Sequence, residues 1–304
     1  MAKSFTILFF FIYSNCFSQT VLTDSSLIIR PKFNQGETKT YFVNEKYTIE
    51  TGTLSPVKAE HDFKISFTVL DTTNGYTILY KTELVKTTNK RYPLESTKAE
   101  LINGLNLIYR ISKDGWIISL PDYRREQSKL IKKLDSMVSK EELKKDEIFL
   151  LSLLRKNLTK NDGLEICLSP FILFNDIFTK PMFRDRKDYH AMRTMNIFYQ
   201  PHFPGTAILE LKKSKDQSAS SIVMFDFIGN RDSAAKYITR FYQEFYIAFK
   251  GKPMNSAPTE MKYNVNRKYE IAHPSGYPLE IYSKQVEFYL QKTVLQVTMK
   301  LANE

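Results

Sequence analysis

Residues 61–70 read HDFKISFTVL, and this stretch decides the fold. Apolar residues stand at positions 63, 65, 67 and 69, and polar residues lie between them. Such period-two alternation is typical of an antiparallel strand with one buried face and one wet face. The pattern recurs, strongly or weakly, over residues 38–49, 76–87, 105–111, 115–120, 192–200, 206–213, 220–228, 261–271, 278–290 and 293–301. The sequence therefore predicts a sheet of about ten strands.

Glycine-containing turns separate these strands. Gly75, Gly115 and Gly276 each stand where a hairpin needs a positive φ angle, so we interpret these segments as turns. Within residues 278–290 the apolar phase slips between Ile281 and Val286, which predicts a β-bulge in that strand.

Helical spacing of apolar residues interrupts the strand pattern twice. Residues 122–178 are predicted to form a helical insertion, and residues 232–249 a further helix that Asp232 or Ser233 caps. This order predicts an α+β fold, with a large curved antiparallel sheet and three to four helices packed on one face. A sheet of this width curls or closes into an incomplete barrel.

The N-terminal segment carries an export signal. Residues 1–18 have the layout of a secretory signal peptide, with Lys3, a short apolar run and small residues before Gln19. We expect residues 19–304 to form a single β-rich domain in the periplasm or outside the cell. Cys16 provides an alternative, because a lipid-modified cysteine would tether the protein to the outer membrane.

The charge of the chain favours anionic neighbours. The formal net charge is +11, and the basic residues are spread along the sequence without a run of like charges. An anionic membrane surface is therefore a candidate partner. Nucleic acid is not expected as a partner, because an exported protein does not meet it in the cell.

The sequence contains none of the common motifs that support catalysis or cofactor binding. The sequence lacks GxSxG, HExxH, CxxC, GxGxxG and GxxxxGK[ST], so we expect no cofactor and a non-catalytic protein. Asp188, His190 and His202 together offer one oxygen and two nitrogens, which is enough for an open zinc site. A strand over residues 192–200 would hold the two histidines roughly 30 Å apart, which favours loop histidines instead. A hydrolase with a spatially assembled site stays open as an alternative.

Several segments resemble known families. Residues 32–37 (KFNQGE), residues 267–269 (RKY) and residues 276–281 (GYPLEI) resemble secreted, uncharacterised β-rich proteins of Bacteroidota, over most of the mature chain in element order. Residues 276–279 also resemble a turn of the LolA-type lipoprotein carriers, in which helices cover a curled, incomplete barrel around an apolar hollow. That resemblance implies lipid or lipoprotein as a partner.

An aromatic stripe marks the helix at residues 232–249. Tyr237, Phe241 and Phe245 lie on this stripe and are the predicted ligand-binding residues. The leading hypothesis is an exported, non-catalytic binding or carrier protein that holds a lipid or other apolar ligand between the sheet and this helix. The alternative is a structural or protein-interaction module of the cell envelope with a filled core.

Overall fold

The computed structural model describes residues 21–22, 26–50, 56–88, 93–139, 145–160, 168–176, 178, 181–183, 188–194, 203–212, 220–230, 262–273, 275–288 and 292–302, and single positions at 232, 239, 243 and 247. The strands are β1 (Val21–Leu22), β2 (Ser26–Ile28), β3 (Thr38–Glu50), β4 (Val57–Asp71), β5 (Tyr76–Thr88), β6 (Asn106–Ile111), β7 (Ile117–Ser119), β8 (Pro181–Phe183), β9 (Asp188–Thr194), β10 (Phe203–Lys212), β11 (Ser220–Gly229), β12 (Lys262–Ala272), β13 (Pro278–Phe288) and β14 (Lys292–Leu301). The helices are α1 (Pro93–Ile102), α2 (Tyr123–Val138), α3 (Lys145–Leu158) and α4 (Ser169–Asn175).

Eleven strands form one antiparallel sheet in the order β7-β6-β5-β4-β3-β14-β13-β12-β11-β10-β9. The sheet consists of two meanders that meet where β3 pairs with β14, with Val43 opposite Met299. Its two edges, β7 and β9, are not joined, so the sheet stays open. β1, β2 and β8 form a small second sheet. The predicted α+β fold with a large curved antiparallel sheet is confirmed.

The alternation of apolar and polar residues over residues 61–70 corresponds to a strand with one buried face, as predicted. Phe63, Ile65, Phe67 and Val69 are buried on the inner, concave face of β4, where the helices pack against them. The glycine turns are also confirmed, because Gly75, Gly115 and Gly276 all have positive φ. The strand predicted to begin at residue 192 begins earlier, at Asp188.

The predicted bulge between Ile281 and Val286 is wrong. β13 keeps a continuous register with β14 along its length, and its register with β12 shifts only between Glu270 and Ile271. The apolar phase seemed to slip because polar side chains, Ser283 among them, occupy inward positions of β13. β13 is regular from Glu280 to Phe288, which includes the predicted position of the bulge, and its inner face is partly polar.

The helices α2, α3 and α4 lie within the range predicted for the helical insertion, but the sequence did not predict α1. α1 has only ten residues and no long apolar stripe. Lys133 Nζ of α2 donates to backbone carbonyl oxygens at and just beyond the C-terminal end of α1, those of Glu100 and Asn103, at 2.6 and 2.8 Å. Helix ends need such partners, so α1 depends on a tertiary contact.

Replacing Lys133 with methionine is expected to lower the free energy of unfolding by about 1–3 kcal/mol, because the carbonyls at the C-terminal end of α1 lose a charged donor. Urea unfolding measures the change. Lys132→Met is the matched control, since Lys132 is the exposed neighbour on the same helix. Equal stability of the two variants would contradict a capping role for Lys133.

The helix predicted over residues 232–249 lies mostly outside the described residues. Within it, Asp232, Thr239, Gln243 and Ile247 are described, and all four are helical. Across the described part of the chain, no helix has the length and hydropathy to cross a membrane.

Candidate functional site

An aromatic cluster covers the concave face of the sheet over β3–β6. Aromatic side chains from the strands, from the segment before β3 and from the turn before β13 meet there, and neighbouring rings have centroids 3.9–6.5 Å apart. The strands and connecting segments contribute Phe33, Tyr41, Phe67, Tyr76, Tyr80, Tyr109 and Tyr277.

α4 lies on this cluster and inserts three phenylalanines into it: Phe171, Phe174 and Phe178, the last just beyond its C-terminal end. We call these three side chains the aromatic plug. Phe174 is fully buried and stacks on Phe67 with a centroid distance of 3.9 Å. Phe171 meets the edge of Tyr109 at 4.7 Å. A helix of seven residues is marginal by itself, so these contacts hold α4 in place.

A row of polar side chains crosses the same concave face. Neighbouring strands place His61 opposite Glu45, Glu45 opposite Val297, Val297 opposite Ser283, and Ser283 opposite Arg267. Directly opposite residues share one face of a sheet. His61, Glu45, Ser283 and Arg267 therefore lie on one line across five strands, interrupted only by Val297 on β14, and we call these four residues the polar row.

Arg267 is the charged end of the polar row, and its side chain is only 12% exposed. Its guanidinium donates through Nη1 to Asp176 Oδ2, at the C-terminal end of α4, and lies 4.9 Å from the ring centroid of Phe225. Burial alone would lower the pKa of Arg267, but the attraction of Tyr269 and Asp176 outweighs burial and raises that pKa. Arg267 is thus a permanent buried cation that ties α4 to the sheet.

Two atoms of the polar row have unused hydrogen-bonding capacity. His61 Nδ1 lies 2.8 Å from Thr87 Oγ1, while His61 Nε2 and Arg267 Nε are buried without a hydrogen-bond partner among the described residues. Burial, with a contribution from the charge of Lys98, lowers the pKa of His61 and favours the neutral ring. Since buried polar atoms are normally satisfied, both can bond to water or to a ligand headgroup.

A second apolar cluster lies beyond the polar row, formed by Tyr47, Ile49 and Ala59 with Leu295 packed against them. The concave face over β3 and β4 therefore changes from aromatic to polar and back to apolar. An amphipathic molecule has the same combination of apolar and polar parts, so such a face matches it.

Tyr269, beside Arg267 on β12, has its pKa raised from 10.0 to about 12, chiefly because burial disfavours the phenolate. The unfolded chain therefore releases this proton first, so the stability contribution is complete below pH 10 and is lost as pH rises towards 12. Tyr269→Phe is expected to reduce the alkaline loss of unfolding free energy by roughly 2–3 kcal/mol.

Urea unfolding at a series of alkaline pH values measures this difference, and Tyr282→Phe, on the convex face of β13, is the control. An alkaline loss in Tyr269→Phe as large as in the unsubstituted protein would contradict the assignment.

The structure leaves the predicted site residues largely untested. Tyr237, Phe241, Phe245 and His202 lie outside the described residues. Asp188 and His190 stand in β9, opposite Leu209 and Ala207, and only their backbone is described. The described side chains contain no group of three His, Cys, Asp or Glu residues that could hold a metal ion.

The sequence did not single out the polar row as a site. A signal was available, because His61, Glu45 and Arg267 each stand in the inward phase of a strand whose other inward residues are mostly apolar. A polar residue at a buried position needs a partner, and that requirement marks such positions for attention.

Comparisons with known proteins give distant matches only. No protein family model matches the chain, and no curated protein matches it. Among solved structures, lipovitellin, in a study of its lipid–protein interactions, has a TM-score of 0.44 and 8% identity; the match covers 90% of this chain and 26% of lipovitellin. This chain thus spans about a quarter of lipovitellin's length.

Two smaller proteins match over most of their length. A LolA superfamily protein from Nitrosomonas europaea has a TM-score of 0.18 and 9% identity, and the match covers 90% of this chain and 89% of that protein. A domain described as an outer membrane lipoprotein-sorting protein, from Vibrio parahaemolyticus, has a TM-score of 0.16 and 7% identity, with 87% and 83% covered. LolA-type proteins are thus among the structural neighbours, at identities and TM-scores too low to establish a family.

Proposed function

We propose that the protein is an exported, non-catalytic binding or carrier protein for a lipid or other apolar ligand of the cell envelope. The observation that carries this proposal is the way α4 sits on the sheet. The aromatic plug covers the aromatic cluster, and the carboxylate of Asp176 pairs with buried Arg267. α4 therefore presents an apolar part and an anionic part, which is the combination found in an anionic lipid.

In this proposal the ligand replaces α4 on the sheet, apolar part for apolar part and anion for anion. The acyl chains of the ligand replace the aromatic plug on the concave face, and its anionic headgroup replaces Asp176 at Arg267. Such an exchange leaves no buried cation unpaired and keeps the apolar surface of the sheet covered. The ligand must bind more strongly than the plug does, since the burial that it gains offsets the burial that the displaced plug loses.

The remaining expectations from the sequence belong to the same proposal. Tyr237, Phe241 and Phe245 would contact the apolar part of the ligand. The ligand would be a lipid or the lipid part of a lipoprotein, met in the periplasm or outside the cell. Cys16 would supply a membrane tether in the lipidated alternative.

A structural or protein-interaction module of the envelope is the second candidate. The close packing of the plug favours it, because Phe174 contacts Phe67, Tyr41 and Phe178 within a filled cluster. In that case α4 is a permanent part of the core. The two candidates differ in whether α4 leaves the sheet.

Native mass spectrometry of gently purified protein tests the proposal. Organic extraction of the same sample identifies any molecule that co-purifies with the protein. A defined lipid released in proportion to protein is the expected result. If a delipidated sample binds no lipid class when each is added back, the carrier proposal is wrong and the interaction module becomes the favoured function.

A further inference from the structure

Three consecutive large apolar residues are exposed at one edge of the large sheet. Trp116, Ile117 and Ile118 are 64%, 43% and 57% exposed, and we call them the apolar tip. Ile117 and Ile118 belong to the edge strand β7. Successive residues of a strand point to opposite faces, so the exposure of both isoleucines means that both faces of β7 are open. The tip thus projects from the edge of the sheet.

The turn that leads into the tip has a defined conformation. Ser112 N donates to the carbonyl oxygen of Trp116 at 2.8 Å, and Trp116 N donates to Ser112 Oγ at 3.0 Å. Gly115, with φ of +92°, packs so closely on the plug that a Cβ there would lie 2.5 Å from Phe178 Cβ. The apolar tip is therefore held in place beside the aromatic plug.

Basic residues outnumber acidic residues in the chain segment that contains the tip. Residues 110–133 contain seven Lys or Arg against three Asp or Glu. The one acidic residue of the turn, Asp114, pairs with Arg30 at 3.4 Å. Lys113 is exposed in the same turn, and Arg124 is exposed in the first turn of α2, which packs against β6 beside β7. The tip is an apolar projection with a basic border.

We propose that the apolar tip inserts into the interfacial layer of an anionic bilayer, while Lys113 and Arg124 contact lipid phosphates. An indole ring is suited to the boundary between headgroups and acyl chains, and basic residues are attracted to anionic lipid. A bilayer surrounds a projection from every side, whereas a protein partner would cover one face. β7, with three residues, is also too short to pair extensively with an added strand.

This inference rests on the proposed function, which gives membrane contact its purpose, and it adds the place where the protein contacts the membrane. The tip adjoins Phe178, so docking places the aromatic plug next to the membrane. A lipid that replaces the plug would then move between bilayer and concave face without crossing open water.

Trp116 is the only tryptophan of the chain and so reports on the tip directly. The experiment adds vesicles of equal parts phosphatidylcholine and phosphatidylglycerol to the purified protein and follows tryptophan emission. A blue shift is expected, together with quenching when the vesicles contain brominated phospholipid. Pure phosphatidylcholine vesicles should give a weaker response, and added salt should reduce the response to anionic vesicles.

The double variant Ile117→Ser/Ile118→Ser keeps the reporter and is expected to bind anionic vesicles roughly tenfold more weakly or worse. Lys113→Glu/Arg124→Glu should weaken binding by a similar factor. Phe42→Ser/Ile228→Ser, which removes two comparably exposed apolar residues elsewhere on the sheet, is the control and should bind unchanged.

Three results would overturn the inference: unchanged Trp116 emission with anionic vesicles, unaltered binding by the isoleucine variant, or a blue shift that grows with protein concentration in the absence of vesicles. The last would assign the tip to a contact with a second copy of the chain. The outcome is separable from that of the carrier proposal, since lipid extraction can succeed when the tip fails to dock, and docking can occur when no lipid is extracted.

Discussion

Phe174→Ala is expected to lower the free energy of unfolding by about 3–5 kcal/mol and to increase the binding of an apolar ligand. The stability loss follows from burial, because Phe174 is fully buried and packs on Phe67 and Tyr41. The gain in binding follows from the exchange proposed for α4. A plug that binds the sheet less tightly competes less with the ligand.

Urea unfolding measures the stability of this variant, and titration with a fluorescently labelled fatty acid measures its binding. Phe42→Ala is the control, since Phe42 is exposed on the convex face of the same sheet and its loss should change stability by less than about 0.5 kcal/mol. Near-UV circular dichroism must show that Phe174→Ala keeps native packing. A destabilised but natively packed variant that binds no more fatty acid would contradict a displaceable plug and favour the interaction module.

Asp176→Ala is expected to cost about 3 kcal/mol of unfolding free energy, because it leaves the buried guanidinium of Arg267 without its carboxylate. Arg267→Met combined with Asp176→Ala should recover much of that loss, since an apolar side chain needs no partner there. A double-mutant cycle in urea measures the coupling between the two residues. Additive effects would mean that the ion pair does not hold α4.

The same pair decides which lipid the protein prefers. Asp176→Asn keeps the shape of the side chain but frees the charge of Arg267, so the affinity for an anionic phospholipid should rise while that for a zwitterionic one changes little. Arg267→Met should remove the preference. Asp226→Asn, which alters a carboxylate bonded to Asn266 on the convex face, is the control. An Asp176→Asn variant with unchanged lipid preference would contradict headgroup binding at Arg267.

Much of the sheet could be predicted from the sequence. Strands such as β3, β5, β11 and β14 were located to within about a residue or two, whereas β4 begins at Val57, four residues before the predicted start. These strands were predictable because each buries one face and exposes the other. The glycines at positions 75, 115 and 276 marked turns for a similarly local reason, since the backbone there needs positive φ. Sequence patterns were sufficient where the structure depends only on neighbouring residues, as in a strand with one buried face or a turn that needs positive φ.

The candidate site was harder to predict because it depends on neighbours that are distant in sequence. The predicted ligand contacts Tyr237, Phe241 and Phe245 stay a prediction. The contact that defines the charged part of the proposed site joins Asp176 to Arg267, which are 91 residues apart in the chain. No periodicity in either segment indicates the other.

The sequence by itself determined the α+β class, most strands of the large sheet with their turns, and helices within residues 122–178, because side-chain alternation and glycine conformation act within a few residues. Only the tertiary structure decided that β3 pairs with β14, that α1 forms against Lys133, and that α4 is inserted into the concave face. These features depend on partners from remote segments, which supply the burial and charge that a short helix or a buried arginine cannot obtain locally.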